Sequence, residues 1–140
     1  MAGLIGSGVT IQGLVDQDAM WTWNVSGTID KSTDLGKAVS IDATANNTVK
    51  LCADDAVILG VLASYEDRTN QEGIKIGTVS HKGGFKVPYV NGATALVPIV
   101  GHSVKGSATP GKVKPVAAYA GPNIVTAVDT ANGYLTLVIL

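Results

Sequence analysis

One cysteine, Cys52, occurs in 140 residues, so no internal disulfide can form. The two histidines, His81 and His102, belong to no HxH, HExxH or CxxC spacing, and they read as turn or surface residues rather than metal ligands. Aromatics are scarce, with one Phe, four Tyr and two Trp. That is too few to stack a single-stranded nucleic acid. No run approaches the roughly 20 apolar residues that cross a bilayer as a helix. The first thirty residues contain no Lys or Arg, and MAGLIGSGVTIQGLV is interrupted by Gly3, Gly6, Ser7, Gly8 and Gly13. Both the basic start and the unbroken apolar core of a secretory signal are therefore missing. The expectation is a soluble protein made and used without export.

Net charge is −1, which leaves no global basic footprint for nucleic acid. The charge is unevenly spread, however. Residues 1–72 hold four basic against ten acidic side chains, a balance of −6, and residues 73–140 hold six lysines against Asp129, a balance of +5. Either a β-fold interleaves the halves and mixes the charge, or a polarised surface steers docking onto a partner or a like neighbour.

Parts for catalysis are present but never assembled. His102-Ser103, Asp54-Asp55 and Glu66-Asp67 could each supply a group, yet no GxSxG elbow occurs. The GSG at 6–8 lacks a following phosphate-loop Lys-Ser/Thr. Cys52 lies in the apolar run VKLCA with no base nearby, which reads as a small buried hydrophobe. The expectation is a protein that is not an enzyme, with no catalytic residues, cofactor or metal.

What the chain does have is seventeen glycines and many Val, Ile and Thr. That composition favours strands, and no window repeats apolar residues at helical spacing. The predicted fold class is all-β, a small single-domain barrel or sandwich carrying an extended N-terminal arm. Residues 1–35, Gly-rich and punctuated by Asp, form the predicted arm, and residues 36–140 the barrel domain. Predicted strands are Lys37–Asp42, Thr48–Leu51, Val57–Tyr65, Ile74–Ser80, Phe85–Tyr89, Lys112–Ala120, Ile124–Asp129 and Tyr134–Leu140. The last two form a hairpin in which Asn132 and Gly133 supply positive φ angles. Both faces of its final strand are largely apolar, so it is expected to be buried on both sides or covered by a neighbouring subunit.

One aromatic placement stands apart. MWTWNV sets Trp21 and Trp23 two residues apart, so an extended chain aims both to one side. They either plug one end of this protein's own barrel or anchor the N-terminal segment on something else. The preceding GVTIQGLV alternates in the same way and suits strand addition to a partner. Candidate partner-contact residues are Leu4, Ile5, Val9, Ile11, Leu14, Val15, Trp21 and Trp23. Deleting residues 1–23 is expected to leave a folded barrel.

The stretches DLGKAVSIDATANNTVKLCADDAVILGVLAS, EGIKIGTVSHKGGFKVPY and AVDTANGYLTLVIL together resemble the capsid cement, or head decoration, proteins of tailed bacteriophages. The resemblance covers about residues 35–140 and consists of strand and turn patterns. It implies a structural virion protein on the outer surface of the capsid, made in the host cytoplasm. It also implies binding to the major capsid protein and to itself, as a homotrimer in preference to a dimer, with no direct contact to nucleic acid or membrane. Other phage structural β-modules (tail tube, baseplate or fibre) and a free-standing ligand-binding β-barrel are the alternatives.

Overall fold

A computed structural model describes residues 20–26 and 29–140. The fold is all-β. Strand β1 is Met20–Val25, β2 Ala38–Ile41, β3 Thr48–Leu51, β4 Gly60–Arg68 and β5 Ile74–Ser80. These five close a barrel in the order β1-β3-β2-β4-β5, with β5 returning to β1. Strand β1 runs parallel to β3, and the remaining barrel pairings are antiparallel. A second sheet follows, β6 (Gly83–Pro88), β9 (Asn123–Asp129) and β10 (Tyr134–Ile139), ordered β6-β10-β9. Between them β7 (Val104–Gly106) pairs with β8 (Val113–Pro115). Among the described residues the helices are one four-residue α1, Thr69–Glu72, and a 3₁₀ turn at Ala93–Ala95. None is long and apolar enough to cross a membrane.

Two hydrophobic cores hold this arrangement. Val25, Ile29, Val39, Val49, Leu62, Tyr65 and Val79 fill the barrel. The second core, which includes Phe85, Val87, Val125, Leu135 and Leu137, gathers side chains from the other sheet together with Ala38, Cys52, Ile58 and Val61. Successive strand residues point to opposite faces. Ala38 accordingly joins the second core while Val39 enters the barrel, and Val61 and Leu62 divide in the same way. Strands β2 and β4 are thus a wall shared by both cores. That is why AVSI and ILGVL read as nearly continuous apolar runs rather than clean alternations. Emptying such a position costs about 2–5 kcal/mol.

Strand β4 begins at Gly60, a position that admits nothing larger. A Cβ on Gly60 would lie 2.2 Å from the carbonyl oxygen of Ser80, at the point where β4 meets the end of β5. The strand predicted at Val57–Tyr65 is displaced to Gly60–Arg68, and its polar tail is held by pairing to β5 up to Arg68 opposite Ile74. The strand predicted at Lys112–Ala120 shortens to Val113–Pro115, since Pro115 has no N–H to continue a ladder. Strand β7 is absent from the predicted strand bounds; it is three residues long and too short for alternation to show.

The boundary expected at residue 35 also differs. Strand β1 lies inside the stretch assigned to the arm, yet it completes the barrel. The cause is non-local: Met20 through Asn24 pair with Ser80 through Ile76, some sixty residues away. Removing residues 1–23 would strip most of that strand, so the expectation of an intact barrel after this deletion is corrected.

The C-terminal hairpin forms with a different turn. Tyr134 pairs with Asp129, which leaves a four-residue connection, and only Gly133 has positive φ, at 71°. Asn132 instead donates its backbone N–H and side-chain amide to the Asp129 carboxylate, at 3.2 and 2.8 Å. In β10, Leu135, Leu137 and Ile139 are buried, while Tyr134 is exposed and Thr136 and Val138 are half-buried. Burial on both sides within this chain is thus corrected. The second face is only partly covered among the described residues.

The halves of opposite charge are interleaved. Lys114 from β8 binds Asp54 at 2.7 Å and Asp55 at 2.8 Å, and Lys75 of β5 lies near Asp67 of β4. The barrel's connecting strap is tied down by two aspartates. Asp42 accepts from the Ser26 hydroxyl and from the Thr44 N–H and hydroxyl, which hold its carboxyl down at about 2. Burial works against the charge on Asp34. The Asp30 N–H and the Lys37 ammonium, each 2.8 Å away, outweigh it and keep the carboxyl below its usual range.

Candidate functional site

Most residues that could have carried chemistry are engaged in structure, whereas the buried Nδ1 of His102 has no hydrogen-bond partner among the described residues. Cys52 is fully buried in the second core, its Sγ 3.3 Å from the Lys112 carbonyl oxygen, and burial pushes the thiol up to about 11. A thiol so placed is a poor nucleophile at neutral pH. Ser103 is buried, donates to the Asn123 carbonyl and accepts from the Ala120 N–H, both at 2.8 Å. The neighbouring Asn123 side chain accepts from the Val104 N–H at 2.9 Å and donates to the Val104 carbonyl at 3.3 Å. Together they form a polar lock joining β7 to β9. Asp54 and Asp55 hold Lys114, Glu66 holds Arg68, and Asp67 accepts from the Thr69 N–H. Among the described residues no group of three or more His, Cys, Asp or Glu could hold a metal ion.

The tryptophans are brought together, and with a third ring that sequence reasoning had set aside. Trp21 and Trp23 stack with centroids 6.2 Å apart, and His81 meets Trp21 edge-on at 5.1 Å and Trp23 at 5.7 Å. The Trp23 indole N–H donates to His81 Nε2 at 3.1 Å, so this nitrogen carries the lone pair and the imidazole is neutral. Partial burial lowers the pKa of His81, against the pull of a backbone bond with Leu59. The register explains the cluster. Trp21 and Trp23 face Val79 and Gly77 across the β1–β5 ladder, and His81 is the first residue beyond β5.

The two indoles have different roles. Trp23 is half-buried against the barrel core and closes its end. Trp21 is 59% exposed at the same mouth. Of the two alternatives posed for the pair, the packing shows the plug for Trp23, while Trp21 lies exposed beside it.

His81 also lines an apolar groove of about 400 Å³ at the seam between barrel and second sheet. Ile41, Val57 and Leu59 form its barrel side, and Ile139 and Leu140 its other side. Three of these stand well out of the fold: Ile41 at 49%, Val57 at 76% and Leu140 at 67% exposed. Through His81 the groove is continuous with the Trp21 ring. Side chains so apolar and so open in one place are a mark of contact surfaces. Sequence reasoning named Trp21 and Trp23 but missed His81, Ile41, Val57 and Leu140, which come from four separate stretches of chain. Leu4, Ile5, Val9, Ile11, Leu14 and Val15 lie outside the described residues.

No family model, curated protein or solved structure matches this chain.

Proposed function

We propose that this protein is a structural component of a phage virion. In this reading it binds the outside of the assembled head as a homo-oligomer, a trimer in preference to a dimer, and reinforces contacts between major capsid protein subunits. The observation that carries the reading is the exposed apolar mouth formed by Trp21, His81, Ile41, Val57 and Leu140 on a scaffold with two packed cores. The likeness of residues 35–140 to head decoration proteins supplies the partner.

The physical mechanism is adhesion. A shell filled with DNA bears an outward load and fails where subunits part. A rigid body attached across such a seam loses its contacts when the seam opens, which raises the free energy of opening. Ordinary interfaces, on the order of 1,600 Å² in total, are enough for firm binding. Attachment through several identical protomers adds avidity without new contacts. The N-terminal segment, with Leu4, Ile5, Val9, Ile11, Leu14 and Val15, reaches the neighbouring subunit by strand addition. The barrel interior is filled by Val39, Leu62 and Val79, so a lumen ligand has no room there.

The test is co-sedimentation of the purified full-length protein with empty heads, followed by thermal rupture of the loaded particles. Saturable binding and a raised rupture temperature are the expected results. Full-length folded protein that stays in the supernatant at every head concentration would refute the reading.

A further inference from the structure

Both nitrogens of the His81 ring are engaged, and their partners make opposite demands. Nε2 accepts from the Trp23 indole N–H at 3.1 Å. The bond to the Leu59 backbone favours the charged imidazole, so His81 donates there, and the donating nitrogen is Nδ1. Leu59 needs a donor, which the ring supplies in either protonation state. Trp23 needs an acceptor, which only the neutral ring supplies.

A proton added at Nε2 sets two N–H donors against each other. An indole N–H accepts nothing, so Trp23 has no way to reverse the bond. Flipping the ring brings no relief, since the charged form donates from both nitrogens. The imidazolium keeps its attraction for indole faces, and Trp21 is the nearer ring at 5.1 Å. Protonation therefore favours the contact with Trp21 over the bond to Trp23. Among the described residues no carboxylate side chain stands close enough to hold the charged ring in place. Trp21, Thr22, Trp23 and Asn24 of β1 are uncharged, and Lys82 is the one charged side chain on the groove. The chain end at Leu140 lines the groove as well, yet the His81 shift has burial and the Leu59 bond as its causes, with no charge among them.

We propose that His81 is the positioning residue of this aromatic surface, and that its protonation releases Trp23 and loosens the barrel mouth. This rests on the contact role given above to Trp21 and its neighbours, and adds regulation by pH. The direction follows from linkage. A histidine whose folded value is lowered stabilises the fold fully above its ordinary value of 6.5, and that contribution is lost as pH falls through the folded value. The surface is thus set at neutral pH and comes undone in mild acid. Trp21, stacked on Trp23 and 59% exposed, then loses its backing.

The test is a proton NMR titration of the full chain, without heads, from about pH 7.5 to about pH 5. Comparison with Trp21→Phe assigns the Trp23 indole N–H, since the chain has two tryptophans. Comparison with His81→Gln separates the imidazole protons of His81 from those of His102. The Trp23 resonance should move with a single midpoint below 6.5, and His81 should share that midpoint. His81→Gln offers an acceptor and a donor without a titratable proton, so its Trp23 resonance should stay flat. His81→Leu offers neither, and at neutral pH its resonance should already stand where the unmodified chain arrives in acid. A Trp23 resonance that ignores the titration of His81 would overturn the proposal, as would a midpoint above 6.5 or a glutamine variant that titrates unchanged. Affinity for empty heads should fall about tenfold over the same range in the unmodified chain and hold in His81→Gln. An equal loss in both, or no loss in either, would also overturn it. Failure of the titration with normal head binding removes only this inference, whereas a chain that titrates as expected and never binds heads removes the function.

Discussion

Two truncations separated by four residues should behave very differently. Removing residues 1–19 leaves every described pairing of the barrel in place. Removing residues 1–23 deletes Met20, Trp21, Thr22 and Trp23, four of the five residues that pair β1 with β5. Each lost ladder hydrogen bond weakens the fold by about 1 kcal/mol net. A fully buried Trp reduced to nothing costs about 3–5 kcal/mol, and Trp23 is half-buried, so about 2 kcal/mol is appropriate. With two to four ladder bonds lost, the total is about 4–6 kcal/mol, comparable with the whole stability of an ordinary domain, about 5–15 kcal/mol. The longer truncation also opens β5 along an edge, which invites association. Urea denaturation followed by far-UV circular dichroism compares the two, since the longer truncation has no tryptophan to observe. The 1–19 deletion should unfold with a midpoint close to that of the full chain, and the 1–23 deletion should be largely unfolded or aggregated in buffer. If the two midpoints agree within the equivalent of about 1 kcal/mol, closure by β1 contributes little and the reasoning fails.

Further outcomes follow from the polar contacts. Asp42 has its carboxyl lowered from 3.8 to about 2 by Ser26 and Thr44. A depressed carboxylate stabilises the fold fully above its unfolded value and loses that contribution as pH falls toward the folded one. Stability attributable to Asp42 should therefore disappear between about pH 4 and pH 2. Asp42→Asn should flatten the acid limb of the denaturation midpoint, and parallel profiles for the two proteins would contradict the assignment. Asn123→Ala leaves the N–H and carbonyl of Val104 without partners in a buried site. It should cost about 3 kcal/mol in denaturant unfolding, against less than about 1 kcal/mol for the exposed Asn132→Ala. Equal effects of the two changes would remove the lock from β7 and β9.

Much of the architecture was written locally. Thr48–Leu51 and Ile74–Ser80 match their predicted bounds because each is a β-branched run closed by turn residues. The burial of Leu135, Leu137 and Ile139 follows from a period of two, and the burial of Cys52 from its apolar neighbours. The all-β class itself needed only composition and the lack of helical spacing. Local pattern also misled. Asn132-Gly133 is a strong two-residue turn signal, but the Asp129 carboxylate captures Asn132 and sets a longer connection.

What the chain order alone established was therefore the kind of structure and most of its strands, since propensity and alternation act over a few residues. Tertiary structure decided which strand closes the barrel, because the β1–β5 ladder joins residues about sixty positions apart and no local pattern encodes that partner. It likewise decided the site. His81 looked like an isolated turn histidine until folding placed it against two indoles and beside Ile41, Val57 and Leu140. Side chains from distant stretches form a surface only where packing sets them side by side.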